Sequence, residues 1–249
     1  MNKNKSKVCI ITGATSGIGF ETALKFLKEG YCVVALSVDS EECVTYAMNE
    51  LTKLGDAVFY HCNIANEQEC KTVVETVMEQ YEHIDVLVNN AGIVGKTYNF
   101  MEDATLADAL NVVKVNLMGT LAMSYYVSKH MKEKKKGVIV NVGSLSGEIV
   151  NGVSIGYSSS KAAVHMATKV MARDLAPHGI RVVTVAPGCI NTELLLPEYK
   201  EYCGNLELKK RVIEPEELAG AIYIMTLPEA SAINGSTVMA DDGYCSFKM

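Results

Sequence analysis

Apolar and polar positions follow two rhythms that take turns along the chain. Short unbroken apolar runs at residues 8–12, 32–36, 57–61, 86–88, 137–142, 181–185 and 236–240 read as strands, since a strand covered on both faces has no polar side to present. Between them lie longer segments at 18–28, 41–54, 67–81, 106–134, 157–176 and 216–226 that read as helices. Gly30 and Gly55 follow the first two, where a residue without a Cβ closes a helix at little cost. This alternation predicts an α/β fold with a parallel sheet of about seven strands and helices on both faces. Right-handed crossovers make the sheet doubly wound, of Rossmann type. No linker, repeat or low-complexity tract interrupts residues 1–249, so one domain is expected.

Composition narrows the function. With 49% hydrophobic and 21% charged residues the chain has an ordinary globular make-up. A formal charge of −6 argues against a nucleic-acid partner, because such proteins carry basic surfaces. The apolar runs fall far short of the roughly 20 residues that cross a bilayer, so no membrane partner is expected. Residues 1–7 are polar and basic and lead straight into the first strand, without a signal-peptide core, which predicts a cytoplasmic protein. The eight cysteines are scattered without a C-x-x-C pair. No metal site is expected, and the thiols should stay reduced as small buried hydrophobes. The one charge cluster, KEKKK at 132–136, sits where cations favour a helix C-terminus and stay solvated.

The first strand runs into Thr12-Gly13-Ala14-Thr15-Ser16-Gly17-Ile18-Gly19. Glycines at a strand-to-helix turn let the backbone approach a phosphate, and the helix N-terminus offers free N–H groups to it. Further along, Tyr157 and Lys161 are four residues apart, on one face of a helix. Ser144 ends the strand before that helix. Oxidising an alcohol needs a base for the hydroxyl proton while hydride leaves the carbon. A free tyrosine, with a pKa near 10, becomes that base more readily beside an ammonium. Tyr157 then serves as base for oxidation and acid for reduction, and Ser144 hydrogen-bonds the substrate oxygen.

Together, these motifs are similar to those of the short-chain dehydrogenase/reductase family, with its TGxxxGxG loop, NNAG turn and YxxxK pair. The resemblance covers most of the chain, residues 7–244, with the motifs in order. It implies a nicotinamide dinucleotide cofactor, NAD(H) or NADP(H), and a fourth catalytic member, Asn116, which keeps a water in a proton relay to the lysine. Gly13, Thr15, Ser16, Gly17, Ile18 and Gly19 then cradle the pyrophosphate. Lys161 also holds the nicotinamide ribose. Asn63 accepts from the adenine amine, and Ile64 packs on the adenine. Asn90, Ala91 and Gly92 let the backbone pass close to the cofactor. Pro187, Gly188, Ile190 and Thr192, similar to the family's PGxIxT, meet the carboxamide. Asp242-Gly243-Tyr244 departs from the usual DGG.

At the adenosine ribose the residues are Ser37, Val38 and Asp39, where family members use an Asp for NAD or a basic residue for NADP. This chain has neither form; Asp39, Glu41 and Glu42 are acidic and no basic residue lies between 33 and 47. Repulsion of a phosphate dianion leans the choice to NAD(H).

Substrate choice is expected in 94–100, 145–155 and 193–212, the last a lid carrying Leu194, Leu195, Leu196, Tyr199 and Tyr202. A greasy lid suggests an apolar alcohol or ketone, foremost a hydroxysteroid or bile-acid-like one; core packing of these leucines is an equal alternative. A 3-oxoacyl thioester is the second candidate, its acidic carrier docking on 132–136 and Arg173. A catalytically idle dinucleotide-binding regulator is the reading from another class, against which the complete tetrad argues. Leu110, Val113, Leu117, Leu121 and Val127, with Ala163, Met166, Val170 and Met171, make the helices at 106–134 and 157–176 apolar on more than one face. Burial against other copies would cover them, and the family resemblance implies a homotetramer, with a homodimer second.

Overall fold

The structure is a computed structural model that describes residues 6–96, 100–102, 105–195 and 197–247. Strands β1 Val8–Thr12, β2 Cys32–Ser37, β3 Ala57–His61, β4 Val86–Asn89, β5 Gly137–Val142, β6 Ile180–Pro187 and β7 Thr237–Ala240 form one sheet. Its order is β3-β2-β1-β4-β5-β6-β7, and every neighbouring pair is parallel. The order reverses at β1, which pairs with both β2 and β4. A reversal of this kind opens a crevice at the carboxyl ends of the strands.

The alternation along β1 shows why the inner strands read as continuous apolar runs. Val8 and Ile10 enter one core, with Cys70, Val73 and Val77 of α3 (Glu67–Tyr81) and Met123, Val127 and Met131 of α5 (Thr120–Lys134). Cys9 and Ile11 enter the other, with Phe26 and Leu27 of α1 (Gly17–Lys28), Leu51 of α2 (Glu41–Leu54) and Leu218 and Ile222 of α8 (Pro215–Thr226). Helices thus cover both faces, and each face buries its own apolar layer. The edge strands β3 and β7 are only half-buried.

Three elements differ from the sequence expectation. The single helix expected over 106–134 is α4 (Thr105–Val113), a π-helical segment (Lys114–Gly119) and α5. Asn116 lies inside the π segment, its carbonyl taking a 2.8 Å hydrogen bond from the Thr120 hydroxyl, a local competition that distorts helices. The lid region holds a helix, α7 (Pro197–Leu206), that the apolar pattern did not reveal. Proline at its first position fits a helix start, but among its described residues only Gly204 is buried, so it has no apolar stripe to read. Helix α6 (Ile155–Leu175) begins two residues earlier than expected, because Ser154 caps it by accepting the Tyr157 N–H at 3.2 Å. Among the described residues no helix is long and apolar enough to cross a membrane, and no disulfide joins the eight cysteines.

Candidate active site

A cleft of about 390 Å³ follows the carboxyl ends of the strands from β1 to β6. It is lined by Gly13, Ser16, Gly17 and Ile18 after β1, Ser37, Val38 and Asp39 after β2, and Asn63 and Ile64 after β3. Asn90, Ala91 and Gly92 after β4, then Tyr157, Lys161, Pro187 and Thr192, complete most of the wall. A second cavity, about 480 Å³, lies between α5 and α6 and shares only Ile64 with this cleft. Size therefore does not locate the chemistry; the converging polar groups do.

The glycine loop has the backbone that its sequence requires. Gly13 and Gly17 have φ of +66° and +51°, in the left-handed region that favours glycine. A Cβ at Gly19 would lie 1.9 Å from the Gly13 carbonyl oxygen, so the third glycine lets the helix start against the turn. Asn90 ties the loop down: its side-chain amide donates to the carbonyls of Thr12 and Gly13 at 3.0 and 3.1 Å. Ser16 makes no side-chain cap on α1, and no acidic residue stands in the first turn. The leading amides of α1 are thus open to an anion. These features fit the pyrophosphate of a dinucleotide.

At the other end of the cleft the Thr15 hydroxyl donates to the Asp39 carboxylate, and the Asp39 N–H donates to Ser37 Oγ at 3.2 Å. Thr15 is buried and serves this contact rather than the cleft wall. The amide oxygen of Asn63 already accepts the Ala65 N–H at 3.0 Å, which leaves one lone pair for an adenine amine. Ile64 is held against the π segment, where a Cβ on Gly119 would come within 2.7 Å of its Cδ1.

Tyr157 and Lys161 project from the first turns of α6 toward the end of β5. The Ser144 side chain lies near enough to the Tyr157 hydroxyl to pull its pKa down. Lys161 Nζ donates to the Val142 carbonyl at 2.8 Å and lies 5.6 Å from the Tyr157 ring centre. Asn116 clamps the turn after β4: its Oδ1 accepts the Ile93 N–H at 2.8 Å and its Nδ2 donates to the Ile93 carbonyl at 2.9 Å. It also donates to Ser160 Oγ at 3.1 Å, so Asn116 braces α6 as well as the turn.

The electrostatics correct one expectation. Tyr157 is pushed above its ordinary pKa by burial, with the Ser144 hydrogen bond pulling the other way. Lys161 is not among the causes that move Tyr157, and burial pulls Lys161 itself down to about 8. Desolvation penalises the charged forms of both groups together.

The structure separates other expected groups from the cleft. Gly188 and Ile190 lie behind it: a Cβ on Gly188 would meet the Glu207 carboxylate at 2.6 Å, and Ile190 packs into the core. The lysine run at 132–136 immediately precedes Gly137, the amino end of β5. A carrier docked there would stand a strand length, roughly 20 Å, from the cleft. Arg173 lies in the last turn of α6, away from Tyr157, and pairs with Asp174 at 2.8 Å. The expected carrier dock thus lies toward the amino ends of the strands, opposite the cleft. Of the expected substrate regions, Val94, Glu193 and Leu194 reach the cleft, while residues 97–99 and Leu196 lie outside the described residues. Cys62, Ile93, Val115, Val142 and Gly143 line it without having been singled out. For Cys62, Val142 and Gly143, position at or just after a strand's carboxyl end was the available signal.

Comparison with known proteins agrees with this geometry. The family model for short chain dehydrogenases matches residues 7–202. A 3-oxoacyl-[acyl-carrier-protein] reductase of a Synechocystis species is 35% identical over 97% of this chain and 98% of its own. The cyclopentanol dehydrogenase of Comamonas testosteroni is 32% identical over 98% of this chain and 99% of its own. Among solved structures, levodione reductase superposes with a TM-score of 0.90 at 29% identity, covering 97% of this chain and 98% of that one. ElxO with NADP bound gives 0.89 at 29% identity over 97% of this chain and all of that one. With seven parallel strands, the phosphate-type loop and the Ser144–Tyr157–Lys161 grouping in place, this chain belongs to the short-chain dehydrogenase family of oxidoreductases.

Proposed function

We propose that the protein interconverts a secondary alcohol and a ketone, with Tyr157 as the proton-transferring group. The observation that carries this is the convergence of Ser144, Tyr157 and Lys161 on the glycine-loop cleft, with Lys161 anchored on the Val142 carbonyl. A bound nicotinamide dinucleotide would supply the carbon that accepts or returns the hydride. Tyr157 takes the hydroxyl proton in oxidation and gives it back to the carbonyl oxygen in reduction. Ser144 donates to that oxygen and steadies its developing charge. Lys161, when protonated, offsets the cost of a buried phenolate, and Asn116 holds the Ile93 turn that borders the site.

Gly13, Ser16, Gly17, Ile18 and Gly19 would hold the pyrophosphate, and Asn90, Ala91, Gly92, Pro187 and Thr192 the nicotinamide half. Asp39, kept at the adenosine end by Thr15 and accompanied by no cation among the described wall residues there, favours NAD(H) over NADP(H). The wall next to Tyr157 includes Val94 and Leu194, and α7 stands as a lid directly after it. These support an apolar alcohol or ketone, for which a hydroxysteroid or bile-acid-like compound is the leading choice. The second reading, a 3-oxoacyl thioester, is favoured by the 35% identity to the Synechocystis reductase. An idle dinucleotide-binding regulator would have no use for Tyr157 beside Ser144 and Lys161 on the cleft wall.

The test is absorbance of the reduced nicotinamide with steroids, bile acids, small cyclic alcohols and short 3-oxoacyl thioesters. Each is tried with NAD(H) and NADP(H), and Tyr157→Phe is the control. Losing a general acid–base of this kind should cost about 100-fold or more in kcat. Equal turnover by Tyr157→Phe would remove the proposed role, and retained cofactor binding without turnover of any compound would favour the regulator. We propose in addition that the chain assembles as a homotetramer through α4, α5 and α6.

A further inference from the structure

We propose that His165 is a positioning residue for this reaction: its imidazole, oriented by Glu148, holds the Ser144 backbone and so aims the Ser144 hydroxyl. The inference rests on the catalytic reading of Ser144 and Tyr157 given above.

His165 stands four residues beyond Lys161 and eight beyond Tyr157, so the three follow one another along one face of α6. It is buried, and both ring nitrogens are engaged. The Ser144 N–H donates to Nε2 at 3.4 Å, and Nδ1 lies 2.9 Å from Glu148 Oε1. An N–H donates only to a nitrogen with a free lone pair. Nε2 is therefore unprotonated, and the proton sits on Nδ1, donated to the Glu148 carboxylate. Glu148 thus fixes the tautomer, and the tautomer gives the Ser144 amide its acceptor.

The loop is shaped to receive the ring. A Cβ at Gly143 would meet Nε2 at 2.4 Å, and one at Gly147 would meet Cε1 at 2.7 Å. Glycine at both ends of Gly143-Ser144-Leu145-Ser146-Gly147 lets the backbone wrap the imidazole. Ser144 sits inside that wrap, its Oγ accepting the Ser146 N–H at 3.1 Å and lying near the Tyr157 hydroxyl. Moving the Ser144 backbone would therefore move the group that meets the substrate oxygen.

Charge is arranged to keep the ring neutral. Burial pulls the His165 pKa below its usual value, against the hydrogen bond and charge of Glu148. Lys161 and Lys169, on its own helix, act in the same direction as burial. Protonation would put an N–H on Nε2, facing the N–H of Ser144, and the bond would be lost.

Two measurements test this. The first needs no substrate: long-range proton–nitrogen NMR of the full chain labelled at histidine, with His165→Gln to assign the signal. The expected signal is a neutral ring protonated at Nδ1 near neutral pH, moving toward a tautomer mixture in Glu148→Ala. A ring protonated at Nε2, or one unaffected by Glu148→Ala, overturns the proposal. The second is kinetic, with whichever alcohol or ketone is turned over. His165→Leu should lose about tenfold in kcat, the worth of one aligned hydrogen bond, with dinucleotide binding unchanged. His165→Gln, whose side-chain oxygen can accept the Ser144 N–H, should recover most of it. A His165→Leu enzyme with full kcat, or a His165→Gln as impaired as it, sinks the idea. If His165→Leu fails to fold, Glu148→Ala stands in at a half-exposed position, with an expected loss of a few fold in kcat. If wild-type protein turns over nothing, the functional reading fails, and the NMR arm alone decides where the His165 proton sits.

Discussion

Glu207 carries a burial cost that packing alone does not offset. It is fully buried in the turn after α7, where Oε1 accepts the Cys189 N–H at 3.0 Å. Oε2 has no hydrogen-bond partner among the described residues. Burial, followed by the nearby Asp241 and Asp242 carboxylates, pushes its pKa up to about 7 from 4.5. A carboxyl with a raised folded-state pKa contributes stability that is complete below the unfolded value and lost as pH rises through the folded one. Glu207→Gln keeps an acceptor for Cys189 and removes the titration. It should raise the melting temperature by about 2–4 °C near pH 8, with the gain vanishing toward about pH 4.5. A gain independent of pH, read by thermal melts across that range, would refute the electrostatic account. No sequence signal marked Glu207: it is one acidic residue in a polar stretch, and its meaning comes from Gly188 and Asp241, which the fold brings to it. Tyr157, Lys161 and Ser144 were legible for the opposite reason. Their relation is set by helical spacing and a strand end, both local. His165 lay between these cases, at local spacing from Lys161 but with partners, Ser144 and Glu148, that only the loop's wrap supplies.

At the scale of elements, the strand–turn–helix at the chain's start was fully readable, since each glycine answers a local backbone need. It also makes the sharpest structural prediction. Gly19→Ala places a methyl 1.9 Å from the Gly13 carbonyl oxygen, against backbone that has nowhere to go. Overpacking of this kind costs about 1–3 kcal/mol, so dinucleotide affinity should fall roughly 10- to 100-fold. Titration by fluorescence or calorimetry checks it, and unchanged affinity would mean the loop does not hold the cofactor as proposed. The inner strands were equally readable because burial on both faces leaves unbroken apolar runs. The π segment and α7 were not. The first goes with a hydroxyl-to-carbonyl bond, Thr120 to Asn116, that leaves no mark in the apolar pattern, and the second lies on the surface with almost no buried side to give a periodicity.

The whole molecule leaves apolar side chains on the outside of its helical layer. Leu110, Tyr125 and Met166, on α4, α5 and α6, are 71%, 55% and 57% exposed. Met118 and Val170 are exposed as well, and Met118, Tyr125 and Met171 line the 480 Å³ cavity between α5 and α6. Of the residues that made these helices look apolar all round, Val127 is spent on the core, whereas Leu110, Met166 and Val170 are not. One chain therefore satisfies only part of the pattern. Exposed apolar side chains on neighbouring helices are what an association site presents, and closed symmetric assembly is the common way to cover them. The proposed homotetramer makes the prediction concrete. Light scattering during size exclusion should give four times the chain mass. Tyr125→Glu with Met166→Glu should shift the protein to dimers or single chains, because a buried unpaired carboxylate is costly while on a free surface these changes are nearly neutral. Circular dichroism of the double variant should stay that of a folded α/β protein. A double variant that remains tetrameric would place the interface elsewhere, and a wild type that runs as a single chain would leave the patch to some other partner.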